Sequence, residues 1–247
     1  CETKNKRIFN SYLKSKLSCK SSIGPLKNKE GNITNDESNM AEILNEYFSS
    51  VFTNEDITNI PEPDKTNCNA HAFSTGIDDK KIKDAIKKMK PSNSTGPDGI
   101  SVNQLQKLEN ELTKPLKLIF LKSISSGEVP QDWKDANVIP IFKKGGKSNP
   151  GNYRPISLTS IVGKLLETLI KETLMDHLLK NELIRNSQHG FLPNTSCATN
   201  LLEFLEYLTK SVDEGNSIDI LDLDFAKAFD KVPHKRLLPK IKAFNIN

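Results

Sequence analysis

The segment that most constrains the fold is residues 217–230, which read Ser-Ile-Asp-Ile-Leu-Asp-Leu-Asp-Phe-Ala-Lys-Ala-Phe-Asp. Branched apolar and acidic residues alternate in its first half, and this period of two predicts a short strand over residues 218–223. Turn-forming residues precede the strand, and a helix is expected to begin near Pro233. The residues that would share one face of the strand are Ile218, Ile220, Asp222 and Asp224.

Asp224 ends this predicted strand, and the aromatic residue Phe229 follows five positions later. A carboxylate in such a place can hold divalent cations that bridge nucleotide phosphates, while the ring would lie where an incoming sugar binds. The alternative interpretation is an acid at the surface end of a strand, which requires no function. The neighbouring motifs therefore have to decide between the two.

A basic hairpin is predicted between residues 136 and 158. Residues 136–142 form a strand pattern interrupted by Pro140, the Lys-Lys-Gly-Gly-Lys sequence at 143–147 is typical of a hairpin tip, and Arg154 starts the return strand. Arg grips phosphate oxygens in a fixed fork and Lys adds a point charge, so this tip suits a triphosphate. An ordinary solvated turn of the same composition is the alternative.

Four motifs resemble those of reverse transcriptases from non-LTR (LINE-type, jockey-like) retrotransposons. The first is Asp-Phe-Ala-Lys-Ala-Phe-Asp at 224–230. The second combines Trp-Lys-x-Ala-x-Val-x-Pro-Ile-x-Lys with Asn-Tyr-Arg-Pro-Ile-Ser-Leu, between residues 133 and 158. The others are Gln-His-Gly-Phe at 188–191 and, less specific, Gly-Pro-Asp-Gly-Ile at 96–100.

The resemblance implies a role for each matched residue in the first motif. Asp224 would be the catalytic metal ligand, the backbone carbonyl of Phe225 would also contact the metal ions, and Phe229 would exclude a 2′-hydroxyl. Asp222 lies outside the match and receives no role. In the hairpin motif, Arg154 would contact the triphosphate together with Lys143. Lys144 remains an alternative to Lys143, because the register could slip by one residue.

The Gln-His-Gly-Phe motif resembles a template-contacting segment at the junction of fingers and palm. His189 has no metal-ligand spacing to His177 or His234, so its expected role is structural or template-adjacent. The family often has Arg where this chain has Leu192, which removes one potential phosphate contact. The residues expected next to the template are Gln188, His189, Gly190 and Phe191.

The fold class implied by the resemblance is α+β and helix-rich: the fingers and first palm strand of a right-hand polymerase, truncated before the rest of the palm and the thumb. The complete enzyme would be an RNA-directed DNA polymerase that uses an RNA template, a DNA primer, deoxynucleoside triphosphates and two Mg²⁺ ions. Two divalent ions require several carboxylates. The second set would lie on an x-x-Asp-Asp hairpin beyond Asn247, so this fragment is expected to be inactive alone.

Three regions are predicted. Residues 1–74 form a connector with one amphipathic helix at about 35–53, residues 75–128 form a helical N-terminal extension of the fingers, and residues 129–247 form a partial reverse transcriptase domain. Further helices are expected at 78–90, 101–108, 112–126 and 160–180, and after Ser196. The capping box Thr34 to Glu37 marks the start of the amphipathic helix. The residues of the post-Ser196 helix expected to face inward are Leu201, Leu202, Leu205 and Leu208.

Two other functional interpretations stay open. A non-catalytic nucleic-acid-binding module would use the lysine-rich helix at 78–90, although such a helix is also typical of a merely solvated face. An inert retroelement remnant would have no activity, and its unpaired strand at 218–223 would favour aggregation.

Pro239 inside the last predicted helix should end or kink it. The acid pair Asp78-Asp79 lies at a helix start, where acids complement the dipole, and is excluded as catalytic.

Composition sets only broad limits. Hydrophobic residues make up 36%, charged residues 27%, and the formal net charge is +4, which permits nucleic-acid binding without indicating it. Four scattered cysteines with no C-x-x-C pair indicate neither a zinc site nor a disulfide framework, so an intracellular location, nuclear or cytoplasmic, is expected. No apolar run approaches the ~20 residues of a membrane span. The first residue is not Met, which indicates a piece of a longer protein.

Overall fold

The computed structural model describes residues 23–63 and 76–246, a helix-rich α+β arrangement with two small antiparallel sheets. Two parts of the predicted connector, residues 1–22 and 64–74, lie outside the described residues. The elements in chain order are β1 Leu26–Lys27, β2 Ile33–Thr34, α1 Glu37–Ser49, α2 Asp79–Lys88, α3 Val102–Lys107, α4 Glu109–Ser126, α5 Gln131–Lys134, β3 Ala136–Phe142, a 3₁₀ turn Pro150–Asn152, β4 Tyr153–Thr159, α6 Ile161–Lys180, α7 Cys197–Asp213 and α8 His234–Ala243.

The main hydrophobic core lies between α2, α3, α4 and α6. Each of these helices contributes an almost completely buried side chain, respectively Ile82, Leu105, Phe120 and Leu165. The Trp133 ring of α5 packs edge-on against Phe120, with the ring centroids 5.9 Å apart. Burial of each large apolar side chain contributes roughly 1.5–3 kcal/mol. This cluster therefore holds the helical half of the molecule together, as the apolar stripes of the predicted helices indicated.

Polar N-caps begin most helices where the sequence predicted. At α1 the cap differs from the prediction: Asp36 accepts a hydrogen bond from the Asn39 backbone N–H at 2.9 Å, so the predicted capping box starting at Thr34 is wrong. Thr34 instead accepts from the Asp36 N–H at 3.1 Å. The Asp36 side chain, two residues later, therefore satisfies one of the free backbone donors of the first turn. The caps of α2, α3, α6 and α7 are Asp78, Ser101, Ser160 and Ser196.

Strands β3 and β4 form the predicted hairpin. They pair antiparallel from Ala136 opposite Thr159 to Phe142 opposite Tyr153. Pro140 lies opposite Pro155, so the two residues that cannot donate to the ladder share one rung of the sheet. The tip is longer than the basic turn predicted: residues 143–152 form it, and the Lys143 N–H closes it by donating to the Asn152 carbonyl at 2.8 Å.

A second apolar cluster attaches α1 to this hairpin at the rung next to its tip. Leu26, Met40, Leu44 and Tyr153 are buried together, with the Phe142 ring packed edge-on against Tyr153 at 5.6 Å between centroids. The Tyr153 hydroxyl donates to the Lys147 carbonyl at 2.7 Å. The amphipathic pattern of α1 predicted that one face must be covered. The hairpin is the partner that covers it.

The strand predicted at residues 218–223 is wrong. The segment has no regular secondary structure, and no strand in the described residues pairs with it. A strand is stable only when a neighbour accepts and donates its backbone hydrogen bonds. The alternating pattern of Ile218, Ile220 and the acids between them is therefore present without the ladder that it predicted.

Helix α7 also departs from its prediction. It spans the expected residues, but Leu201, Leu202 and Leu205 are exposed by 55%, 65% and 45%, and no α7 residue is buried. The apolar pattern predicts that this face needs a cover, and the described residues do not supply one.

Pro239 does not end α8, which continues to Ala243. Among the described helices, none is long and apolar enough to cross a membrane.

The Gly-Pro-Asp-Gly turn packs against the junction between β4 and α6. A Cβ atom on Gly96 would lie 2.6 Å from the carbonyl carbon and oxygen of Thr159 and 2.7 Å from the nitrogen of Ser160. These neighbours are backbone atoms, which cannot rotate away. Glycine is therefore required by this close approach, and the motif has a structural reason in this fold.

Gly96→Ala is expected to lower the free energy of unfolding by about 1–3 kcal/mol, because the added methyl group must displace main-chain atoms. Urea titration followed by circular dichroism measures this change. The matched control is Gly146→Ala, where a Cβ would meet nothing within 4 Å. Equal stability of the two variants would contradict the close contact.

Candidate active-site cleft

A large open cleft, with a volume of about 1610 Å³, lies between the hairpin, α1 and the loop that follows residue 223. It brings together residues that are far apart in the chain. Lys143 and Arg154 line it from the hairpin, and Asp224, Phe225 and Phe229 line it from the loop. All the residues predicted to bind nucleotide or metal therefore face one cavity.

The hairpin wall of the cleft is basic. Lys143 lines the cavity and the adjacent Lys144 does not, which favours Lys143 as the lysine of this wall. Lys143 and Arg154 are both exposed, and neither side chain forms an ion pair or hydrogen bond with a described residue. Two cations free of internal partners remain available for an anionic ligand.

The loop wall is acidic and aromatic. Asp224 and Asp230 line it, and residues 226–231 form consecutive turns closed by the Lys231 N–H, which donates to the Lys227 carbonyl at 3.1 Å. Phe229 is 77% exposed and contacts the ring of Phe191 edge-on, at 5.8 Å between centroids. The Gln-His-Gly-Phe segment thus reaches the loop through Phe191.

The His189 side chain is held in place by α7. One ring nitrogen is 3.0 Å from the Thr199 hydroxyl, and the other contacts the Glu203 carboxylate. The side chain is only 12% exposed. Gln188 donates to the Gly190 carbonyl at 2.9 Å, which keeps this amide within its own turn. These contacts favour the structural interpretation of His189. Phe191 is the exposed aromatic side chain of the motif.

The donors for a divalent cation are only partly present. Carboxylate oxygens suit Mg²⁺, and Asp224 is exposed with no ion pair to a described residue. Within residues 23–63 and 76–246, however, no group of three or more acidic, His or Cys side chains forms a metal site. The described residues therefore supply one side-chain ligand for such a site, Asp224, and not a full set of ligands.

Sequence reasoning missed the third wall of the cleft, which is α1. Met40, Leu44 and Phe48 line the cavity, and Tyr47 contacts the loop wall through Lys227. The aromatic and apolar stripe of α1 was the available signal. It predicted burial and gave no indication of which surface the helix would meet.

Several lysines of α2 form contacts with neighbouring helices. Lys87 pairs with Glu109 at 3.3 Å, and Lys88 with Glu172 at 3.6 Å. Asp78 caps the helix, and Asp79 accepts from Lys117 at 2.8 Å. These contacts favour a structural interpretation of the lysine-rich helix, and they give each member of the Asp pair a non-catalytic role.

Part of the chain matches a known protein family. Residues 141–247 match the family model described as reverse transcriptase (RNA-dependent DNA polymerase). The matched range contains the loop with Asp224 and the return strand with Arg154. Over residues 141–247 the chain is thus similar to reverse transcriptases, and the resemblance predicted from its motifs is confirmed.

The relatives of the chain are retrotransposon proteins. It is 29% identical over 164 residues to the probable RNA-directed DNA polymerase from transposon BS of Drosophila melanogaster. It is 28% identical over 164 residues to the polymerase from the mobile element jockey of the same species, and 27% identical over 165 residues to that of Drosophila funebris. Each match covers 66% of this chain and 18% of the relative, so the chain spans about a fifth of their length.

The ion pair between Asp79 and Lys117 makes a pH-dependent contribution to stability. The Lys117 ammonium lowers the pKa of Asp79 below its usual 3.8. The ionised Asp79 carboxylate therefore stabilises the folded state at pH values above its usual pKa. This contribution to stability is lost as the pH falls through the lowered pKa of the folded state. We expect Asp79→Asn to destabilise the protein at pH 7 and to have little effect near pH 2.

Urea titration at the two pH values measures this difference. The control is Asp84→Asn on the same helix, because Asp84 is exposed and forms no ion pair with the described residues. Equal destabilisation by Asp79→Asn at both pH values would contradict the assigned pair.

Proposed function

We propose that this chain is part of an RNA-directed DNA polymerase of a non-LTR retrotransposon and that its cleft binds the incoming deoxynucleoside triphosphate. The observation that carries the proposal is the meeting of three separate sequence segments in one cavity. Lys143 and Arg154 line one side, and Asp224, Phe225 and Phe229 line the other. In this view the hairpin belongs to the fingers, and the loop carries the first catalytic motif of the palm.

The charges of the two walls suit a nucleotide. A triphosphate carries several negative charges, which Arg154 can grip in a bidentate fork and Lys143 can balance. Asp224 would be one ligand of Mg²⁺, and the backbone carbonyl of Phe225 would support it. When bound, this ion would neutralise phosphate charge and polarise the phosphoryl oxygen. The residues of this chain contribute placement and charge, which are the main protein contributions to phosphoryl transfer.

Phe229 and Phe191 extend the site beyond the phosphates. The exposed Phe229 ring lies on the loop wall, where it would meet the sugar and exclude a 2′-hydroxyl. Its contact with Phe191 joins it to Gln188, His189 and Gly190, which we place beside the RNA template. A DNA primer would supply the attacking 3′-hydroxyl. Together these residues define one part of a template-copying site.

Binding of nucleotide by the chain itself gives the first test. In the presence of Mg²⁺, Arg154→Gln is expected to raise the dissociation constant for a deoxynucleoside triphosphate by about tenfold or more, because a charge-assisted contact is lost. Lys143→Gln should act in the same direction. Isothermal titration calorimetry measures both variants. Lys144→Gln is the matched control, since this neighbouring lysine does not line the cleft.

Primer extension on an RNA template gives the second test. The 247-residue chain alone should extend nothing, because the described residues do not supply a full set of metal ligands. A longer polypeptide that includes an x-x-Asp-Asp hairpin should synthesise DNA, and Asp224→Ala in that polypeptide should abolish synthesis. Residual synthesis by the Asp224→Ala protein would remove Asp224 from the reaction. RNA retention without any extension by the longer polypeptide would favour the non-catalytic binding module.

A further inference from the structure

Tyr47 of α1 lies against both the hairpin tip and the loop that carries Asp224. The Lys227 ammonium donates a hydrogen bond to the Tyr47 hydroxyl at 2.9 Å and lies 4.2 Å from the centre of its ring. On the other side, a Cβ atom on Gly151 would lie 3.0 Å from the same hydroxyl oxygen, so the hairpin tip passes directly beside it. One side chain therefore joins the tip that carries the basic residues to the loop that carries Asp224.

The loop needs such a contact, because its backbone is strained there. Lys227 has φ +55°, in the left-handed region that side chains other than glycine seldom adopt. A strained residue persists only where surrounding contacts hold it. Its two neighbours in the motif, Ala226 and Ala228, are exposed and carry no polar side chain. The Lys227 side chain stabilises this backbone conformation through its hydrogen bond and its cation–π contact with Tyr47.

The segment after α1 fastens the far end of the same loop. The Thr53 hydroxyl donates to the Lys231 carbonyl at 3.2 Å. Arg236 of α8 donates to the carbonyls of Asp56 and Asn59, each at 3.2 Å. Tyr47 and Thr53 therefore contact the loop at its middle and its end, and residues 56–59 contact the helix that follows it. This stretch lies outside the range matched by the reverse transcriptase family.

We propose that Tyr47 is a positioning residue for the nucleotide site. It holds Lys227 so that Asp224 and Phe229 face the basic hairpin tip across the cleft. The orientation of the first catalytic motif then depends on α1, a helix outside the matched domain. The nucleotide-related part of this inference rests on the proposed function, whereas the holding of the loop does not.

Limited trypsin digestion of the full chain tests the holding of the loop. Trypsin must take the Lys227 side chain into its pocket to cut the bond to Ala228, and the contact with Tyr47 opposes this. Tyr47→Leu should accelerate that cleavage by about tenfold relative to the Arg185–Asn186 bond, because both contacts are lost. Tyr47→Phe keeps the ring and should give a smaller acceleration, about threefold. Mass spectrometry of the products gives both rates.

Tyr207→Leu is the matched control, since Tyr207 is a 67% exposed tyrosine on α7. It should leave the ratio of the two cleavages unchanged. If Tyr47→Leu accelerates all bonds equally, the fold has been damaged and the Tyr47→Phe ratio decides instead. An unchanged ratio in Tyr47→Phe would then overturn the proposal, as would an unchanged ratio in a folded Tyr47→Leu protein.

Ligand titration separates positioning from damage to the hairpin. Tyr47→Leu should weaken binding of dTTP in the presence of Mg²⁺ by about tenfold. It should leave binding of inorganic tripolyphosphate in the absence of Mg²⁺ unchanged, because without the metal ion this ligand depends on the hairpin cations and not on Asp224. Equal weakening of both ligands would contradict a role in placing the loop. Failure of the unsubstituted chain to bind dTTP would count against the proposed function, while the cleavage ratios would still decide the role of Tyr47.

Discussion

The antiparallel ladder between β3 and β4 is the interaction on which the cleft depends. It places Ile141 opposite Arg154 and closes the tip through Lys143 and Asn152, so both cleft cations leave the same end of one rigid hairpin. Backbone hydrogen bonds fix this geometry without any contribution from the basic side chains. Those side chains therefore remain free for a ligand. The buried cluster of Leu26, Met40, Leu44 and Tyr153 then anchors α1 to the hairpin, and α1 becomes the floor on which the loop rests.

Burial decreases from the helical core to the hairpin and then to the loop of the cleft. The helical core around Phe120 and Leu165 is fully buried, and the hairpin shares a smaller cluster with α1 at the rung next to its tip. The loop at residues 224–231 has no buried side chain and depends on polar and aromatic contacts. Such contacts are individually weak, and each contributes on the order of 1 kcal/mol. A site assembled in this way has one rigid wall and one wall whose position depends on Tyr47 and Thr53.

Sequence reasoning succeeded for features that depend on neighbouring residues and failed for features that depend on distant partners. Helix starts at Asp78, Ser160 and Ser196 were predicted, because a cap is a local contact between residues three positions apart. The strand at 218–223 was not formed, because a strand needs a partner that no local pattern can guarantee. Helix α7 failed in the same way: its apolar residues are spaced for burial, yet the described residues do not cover them. Both failures concern surfaces whose partners are set by tertiary contacts.

The sequence by itself determined the resemblance to reverse transcriptases, the helical segments, the hairpin and the residues on two of the three walls of the cleft, since motif spacing and capping are properties of neighbouring residues. Tertiary structure alone decided that Lys143 and not Lys144 lines the cleft, that His189 is held by α7, and that Tyr47 meets Lys227. Tyr47 and Lys227 are separated by 180 positions in the chain. No local pattern encodes such a contact, because it exists only after the hairpin and α1 have packed together.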